Sequence, residues 1–244
     1  MKIVKNLIYA IIPARSGSKG IPNKNIILLN NFPLIAYSIK AALNSKLIDK
    51  VIVSTDSKKY SKIAKSFGAD VPFLRPASIS KDKSTDLEFM THLIEWLKIN
   101  RAKVPEFFVH LRPTTPLRET KIIDKAISQF KNTNYSSLRS VHEMSESSYK
   151  NFEIKNKNLV SIFKKSRKLD NSNKSRQDFP KTYDANGYVD VLRTKLIIDK
   201  KKIHGDNVYA FKTKKNYELD VISDIDIIEF FLSKNKKIIN NLFF

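Results

Sequence analysis

Three cations, Arg15, Lys19 and Lys24, fall within the eleven residues from Arg15 to Asn25, together with Gly17, Gly20 and the hydroxyls of Ser16 and Ser18. Glycine lets backbone N–H groups turn inward, and Arg and Lys supply the charge to hold a polyphosphate, so this stretch has the chemistry of a phosphate-gripping loop. It is neither the G-x-x-x-x-G-K-[ST] loop nor the G-x-G-x-x-G turn of dinucleotide folds. Composition alone leaves open an ordinary lysine-bearing turn, but the position after the apolar run Leu7 to Ile12 favours a site. Covalent chemistry has few candidates. The chain has no Cys, which excludes a thiolate nucleophile, a thiolate zinc site, an iron–sulfur cluster and a disulfide framework. His92, His110, His142 and His204 have no ligand spacing and read as structural or exposed.

The elements that must position such a loop are legible from periodicity. Leu7 to Ile12, Lys50 to Ser54, Phe107 to Leu111 and Ser137 to His142 are continuous apolar or β-branched runs that predict buried strands. Between them, Pro33 to Leu43, Lys58 to Phe67, Leu87 to Lys98 and Glu119 to Phe130 carry apolar residues at helical spacing, as in the stripe Leu87, Met90, Leu93, Ile94 and Leu97. This order predicts an α/β fold, a doubly wound, mostly parallel sheet with its site beyond the carboxyl ends of the strands. The alternation breaks between about Glu143 and Tyr183, where Phe152 to Ile154 and Leu159 to Phe163 suggest a small hairpin and Lys164 to Lys181 is polar and irregular. Such a stretch predicts a binding loop, an oligomerisation arm or disorder. Strands at Gly187 to Leu192 and Asn207 to Phe211, a short helix at Thr194 to Ile198 and a last helix from about Asp224 to Lys234 complete one domain over 1–244.

At 244 residues with 41% hydrophobic content, the chain is long enough for a substantial single core. Its formal charge of +21 suits a nucleic-acid binder. The lysines are nevertheless spread along the chain, and the clusters Lys164-Lys165 with Arg167-Lys168, Lys200 to Lys202 and Lys214-Lys215 lack interleaved aromatics for stacking bases, so no nucleic-acid partner is expected. No stretch approaches the ~20 apolar residues of a membrane span, and the opening run is too short for a signal-peptide core, so a cytoplasmic protein without a membrane partner is expected.

The opening segment Ile12-Pro13-Ala14-Arg15-Ser16-Gly17-Ser18-Lys19-Gly20-Ile21-Pro22-Asn23-Lys24-Asn25 resembles the signature of the cytidylyltransferases that activate nine-carbon acidic sugars, the CMP-N-acetylneuraminate synthetases and their legionaminate and pseudaminate relatives. Further boxes follow in the family's order: Val53-Ser54-Thr55-Asp56, Leu74-Arg75-Pro76-Ala77, Leu111-Arg112-Pro113-Thr114-Thr115-Pro116-Leu117-Arg118, Arg176-Gln177-Asp178-Phe179-Pro180, Asn186-Gly187 and Glu218-Leu219-Asp220. The resemblance implies a nucleotide-diphospho-sugar transferase-like fold and transfer of CMP from CTP to the sugar's anomeric hydroxyl, with release of pyrophosphate. It further implies a role in surface-glycan biosynthesis. A related enzyme acting on an eight-carbon ulosonic acid is the nearest alternative.

By the same resemblance, Arg15, Lys24 and Asn25 would grip the triphosphate, with Ser18 and Lys19 supporting the loop. Arg75, Ser84 and Asp86 would face the nucleotide, Asp86 accepting the exocyclic amine of cytosine. Ser84, Thr85 and Asp86 are equally candidates to cap the helix that follows. Arg112, Thr114, Arg176 and Asn186 would face the sugar, Arg176 from a segment (about 143–185) that crosses to the other subunit of a homodimer. A magnesium-type ion would be held by Glu218 and Asp220, since on extended chain a spacing of two puts both carboxylates on one face. Asp224 would only cap the last helix. Three positions depart from the family pattern: Arg112 stands where Gln is usual, Glu218 where Asp is usual, and Tyr188-Val189-Asp190 follows Asn186-Gly187 in place of Ala-Ile-Tyr. An Arg at 112 could pair with the sugar carboxylate.

Overall fold

The computed structural model describes residues 2–163 and 169–244. The basic cluster Lys164-Lys165 with Arg167-Lys168 lies outside the described residues. Among the described residues, strands β1 (Ile3–Pro13), β2 (Leu28–Leu29), β3 (Phe32–Pro33), β4 (Lys50–Ser54), β5 (Val104–His110), β6 (Ser137–Glu143), β7 (Phe152–Lys155), β8 (Asn158–Ser161), β9 (Tyr183–Arg193) and β10 (Val208–Lys212) are interspersed with seven α-helices. These are α1 (Leu34–Leu43), α2 (Lys58–Ser66), α3 (Asp86–Ile99), α4 (Thr120–Phe130), α5 (Thr194–Lys200), α6 (Asp224–Lys234) and α7 (Lys236–Phe243).

Six strands form one sheet in the order β10-β6-β9-β5-β1-β4. The pairs β1·β4, β1·β5 and β10·β6 are parallel, and β9 runs antiparallel to both its neighbours. Alternate residues of each strand therefore feed two cores. Ile8, Ala10, Ile12, Val53, Phe107 and Val109 pack with α1, α4, α6 and α7 on one face. Tyr9, Ile11, Ile52, Phe108 and Leu192 pack with Met90, Leu93, Ile94 and Leu97 of α3 and Ile197 of α5 on the other. Phe89 joins that stripe, whereas Leu87 is only partly buried. Trp96 is also partly buried, its ring 5.9 Å from that of Phe73, a packing role as its position in the stripe implies.

Several elements differ from the periodicity, β5 among them, which begins at Val104 and not at Phe107. β1 begins at Ile3, because Ile3 and Val4 already pair with Val104 and Pro105 before a bulge resets the register at Ile8. Asn6 takes positive φ in that bulge and its N–H donates to Glu106 Oε2. β9 starts at Tyr183, the polar face of its first residues having masked it. The expected last helix is followed by another, α7, whose Phe243 stacks on Phe32 with ring centroids 3.8 Å apart. Phe244, in contrast, is exposed and Phe230 half-exposed. The expected hairpin is β7–β8, and the described residues between β6 and β9 also carry short 3-10 turns at Leu169–Asn173 and Arg176–Asp178.

Candidate functional site

β1 delivers the cationic loop to the carboxyl end of the sheet, and three side chains fix it there. Asp56, at the end of β4, accepts from Ser16 N and Ser16 Oγ, both at 2.7 Å. Asn25, buried, donates to the Arg15 carbonyl at 2.9 Å. Asp82 spans two of the loop's cations, 3.0 Å from Arg15 Nη1 and 2.6 Å from Lys19 Nζ. The hydrogen bond from Lys19 and the two positive charges hold the Asp82 carboxyl below its ordinary range.

The distant acidic segment meets the loop directly. Leu219 is fully buried, its N–H bonded to Thr114 O at 2.8 Å, so its neighbours Glu218 and Asp220 face outward. Lys24 Nζ donates to Leu219 O at 2.8 Å and to Asp220 Oδ1 at 3.1 Å. Asp224 does not cap α6 with its side chain. Its Oδ2 accepts from the N–H groups of Asp220 and Val221 and so locks the Asp220 turn.

These contacts enclose a cleft of about 390 Å3 lined by Arg15, Ser18, Lys19, Gly20, Lys24, Asn25, Arg75, Ser84, Asp86, Phe89, Arg112, Thr114 and Asp220, with Pro13 and Pro113. Five of those residues are cationic and two acidic, so the cleft suits an anion. Arg75 forms its floor. The guanidinium donates through Nε to Ser54 Oγ at 2.9 Å and lies over the Phe89 ring, 4.9 Å from its centroid. Burial lowers its pKa to about 10, which leaves it charged at neutral pH. Of the three capping candidates Thr85 takes the role, its N–H and hydroxyl both donating to Glu88 Oε2 in a capping box. Asp86 is thereby left to pair with Arg112, whose Nη2 lies 2.7 Å from Asp86 Oδ2. Burial pushes the Asp86 carboxyl up, but the charge and hydrogen bond of Arg112 work against it and the net shift is downward. The Arg112 charge is thus already engaged within the chain, a geometry that spacing could not foretell.

Not every predicted residue reaches this cleft. Asn186 and Glu218 line an adjoining hollow of about 450 Å3 with His142, Asp184, Lys215 and Tyr217, and Asp220 is common to both. Asn186 donates to Thr213 Oγ1 at 2.7 Å. Burial and the nearby Asp220 charge raise the Glu218 carboxyl above its ordinary value. Gly187 has a φ of +59°, and a Cβ there would stand 3.0 Å from Glu218 Oε1 and 3.1 Å from Thr115 Oγ1, so only glycine lets the carboxylate approach. Arg176 lines neither; it lies 3.5 Å from Glu143 and donates at 3.1 Å to the carbonyl of Met144, which does line the adjoining hollow.

Sequence reasoning missed several contributors. Asp56 and Arg118 sat in recognised boxes without a role, and nothing in the spacing marked Asp82. Nor did scattered histidines suggest that His110 and His204 would flank Asp190, His110 being buried and His204 largely so. Burial drives the His110 pKa down to about 3 and that of His204 to about 4, and raises Asp190 to about 6. In the unfolded chain both imidazoles titrate near their ordinary ~6.5, so unfolding takes up protons below that pH; Asp190 acts in the opposite sense from about pH 6 downward, but as one group against two. Urea midpoints are expected to fall between pH 6.5 and pH 5. A flat or rising profile would contradict buried neutral imidazoles.

Similarity to known proteins agrees with this geometry. The cytidylyltransferase family profile matches residues 9–242. The chain is 32% identical over 229 residues to the CMP-N,N'-diacetyllegionaminic acid synthase of Campylobacter jejuni, covering 93% of this chain and 95% of that protein. It is 34% identical over 224 residues to the N-acylneuraminate cytidylyltransferase of Escherichia coli O18:K1:H7, covering 91% of this chain but only 51% of that longer protein. Among solved structures, a CMP:2-keto-3-deoxy-manno-octonic acid synthetase complexed with CTP superposes with a TM-score of 0.69 at 13% identity, over 94% of this chain and 99% of that one, a likeness of fold. Profile, relatives and fold together place the chain in the cytidylyltransferase family.

Proposed function

We propose that the cleft binds CTP and that the chain transfers CMP to the anomeric hydroxyl of a nine-carbon acidic sugar, an N-acylneuraminate or related nonulosonate, releasing pyrophosphate. The observation that carries this reading is the 3.1 Å approach of Lys24 Nζ to Asp220 Oδ1, which joins the cationic loop to the acidic pair at the rim of one anion-suited cleft. Phosphoryl transfer of this kind needs placement and charge neutralisation more than a covalent nucleophile. Arg15, Lys19 and Lys24 would neutralise the triphosphate and the departing pyrophosphate, while Arg75, Ser84 and Asp86 would hold the nucleoside end. The adjoining hollow, with Asn186 and Lys215 on its wall, would seat the sugar so that its hydroxyl oxygen reaches the α-phosphorus past Asp220.

A magnesium-type cation fits the donor set. Glu218 and Asp220 flank a core-anchored residue, burial and then the Asp220 charge raise the Glu218 carboxyl, and among the described residues no group of three or more His, Cys, Asp or Glu could hold a metal. A hard divalent ion that keeps waters and shares phosphate oxygens needs only one or two protein carboxylates. Bound by Glu218 and Asp220, it would supply charge neutralisation at the phosphates. We also read the chain as a homodimer. The β7–β8 hairpin and the residues after it expose Ile154, Leu159, Val160, Ile162 and Phe163, and Arg176, which lines neither the cleft nor the hollow of its own chain, would then serve the partner's sugar hollow. No described helix is long and apolar enough to cross a membrane; a cytoplasmic location and a place in surface-glycan biosynthesis belong to this proposal.

The test is pyrophosphate release from CTP and Mg2+ with sialic, legionaminic, pseudaminic and eight-carbon ulosonic acids offered in turn. Release is expected with a nine-carbon acid, to stop on chelation with EDTA and to resume with added Mg2+. Release with the eight-carbon acid alone would move the chain to that substrate class, and release without any sugar would defeat the reading.

A further inference from the structure

Behind the Arg112 wall of the cleft lies a set of titratable groups that the transfer chemistry leaves unused. His110 ends β5, Asp190 of β9 stands opposite it in the antiparallel register, and Arg139 of β6 stands opposite Asp190 on its other side. Asp190 Oδ2 lies 3.8 Å from His110 Nδ1 and 3.9 Å from His204 Nε2. His110 is 1% and Asp190 3% exposed. Both His110 ring nitrogens and Asp190 Oδ1 have no hydrogen-bond partner. Away from water, a carboxyl between two imidazoles is best tolerated when the three share one proton. With none the cluster is a buried anion, and with two a buried cation.

The cluster adjoins the functional cleft through short links. Arg112 lies two residues beyond His110, hence on the same face of an extended chain, and holds Asp86 at 2.7 Å. Phe89, one turn after Asp86 on α3, lays its ring against that of His110 with centroids 5.7 Å apart. The charged groups acting on Asp190 therefore include His110, His204, Arg139, Arg112, Asp86 and the buried Arg118.

We propose that His110, Asp190 and His204 are positioning residues that retain one shared proton behind the Arg112–Asp86 pair, so that the cleft wall carries no uncompensated negative charge when an anionic ligand enters. The proposal rests on the reading of the cleft as a CTP site. When the cluster gives up its proton to solvent, the wall gains one negative charge and CTP binds less tightly. Asp190→Asn, which matches the protonated carboxyl in shape and charge, removes that loss.

CTP affinity, measured by calorimetry with Mg2+ from pH 5 to pH 8 on the full chain and on Asp190→Asn, tests this. The ligand's own titration is common to both proteins and cancels in the ratio. Wild type and variant are expected to bind alike at pH 5, with the wild type weaker by about 5- to 10-fold at pH 8. A ratio that stays constant with pH overturns the proposal. A ligand-free arm separates this from failure of the CTP reading: in proton–nitrogen NMR both His110 and His204 rings are expected to report a shared inflection near pH 6 that vanishes in Asp190→Asn. If CTP binds neither protein but the inflection is present, the nucleotide reading fails and the proton-sharing cluster stands; absence of any inflection between pH 5 and 7.5 overturns it. His204→Gln, at the accessible end, provides a second variant should Asp190→Asn not fold, and is expected to move the His110 inflection by at least half a unit; an unmoved inflection counts against the cluster.

Discussion

Replacing Lys24 with alanine is expected to lower kcat/KM for pyrophosphate release by about 100- to 1,000-fold, the range for loss of one preorganised electrostatic group. Lys24 is largely enclosed, with 14% of its side chain exposed, and its ammonium is aimed by Leu219 O and Asp220. A cation held in that way acts without reorganising, whereas Lys19, 83% exposed and paired with Asp82, must turn from that partner to the ligand. The loss at Lys24 is therefore expected to exceed that at Lys19 by tenfold or more. Because the charge acts on the departing phosphates, the loss should appear in kcat as well as KM, and Lys24→Arg should recover only part of it, its planar fork being unable to occupy a site built around a point charge. Initial rates at saturating sugar, with thermal unfolding as control, decide the matter. An alanine variant within threefold of wild type would remove Lys24 from the reaction.

The largest effect on stability is expected at Arg118. This side chain, 1% exposed, spends its guanidinium on neutral acceptors: Tyr188 O at 2.6 Å, Ser38 Oγ at 2.8 Å, Arg112 O at 2.7 Å, Gly187 O at 2.8 Å, and Thr115 O. It staples the segment that carries Arg112 and Thr114 to the middle of β9 and to α1. Burial lowers its pKa to about 10, so the charge persists at neutral pH. Arg118→Met fills similar volume but strands the buried carbonyls, and a cost of about 3–5 kcal/mol is expected. For a chain of this size that corresponds to a melting temperature lower by roughly 10 °C. Scanning calorimetry reads it directly. A shift under 2 °C would mean that the carbonyls find other partners, contrary to the closed packing around them.

Much of the fold was legible because strands and helices here are buried on predictable faces. Val51, Val53, Phe107 and Val109 announce themselves by apolar runs, and α3 by its stripe. The antiparallel β9 was half hidden, since of its first residues Tyr183 is only partly buried and Asp184 and Ala185 expose their side chains. The short α7 has no side-chain cap bond from Asn235 and is held by Phe243 against Phe32, a long-range contact that no local pattern encodes. At the site, residue types announced the anion chemistry of Arg15, Lys19 and Lys24. They could not announce partnerships across the chain: Asp82 with Arg15, Asp86 with Arg112, Asp224 with the Asp220 amide. Each joins elements far apart in sequence or reassigns a helix-start residue, and only the packed sheet brings them within reach.

Because Leu219 is a core side chain whose amide is tied to Thr114, the carboxylates beside it cannot swing away without extracting a hydrophobic anchor. The acidic edge of the cleft should accordingly behave as a rigid bank against which looser segments move. Deuterium uptake at the Leu219 amide would then follow cooperative unfolding of the whole domain, while amides near Lys19 exchange through local fraying.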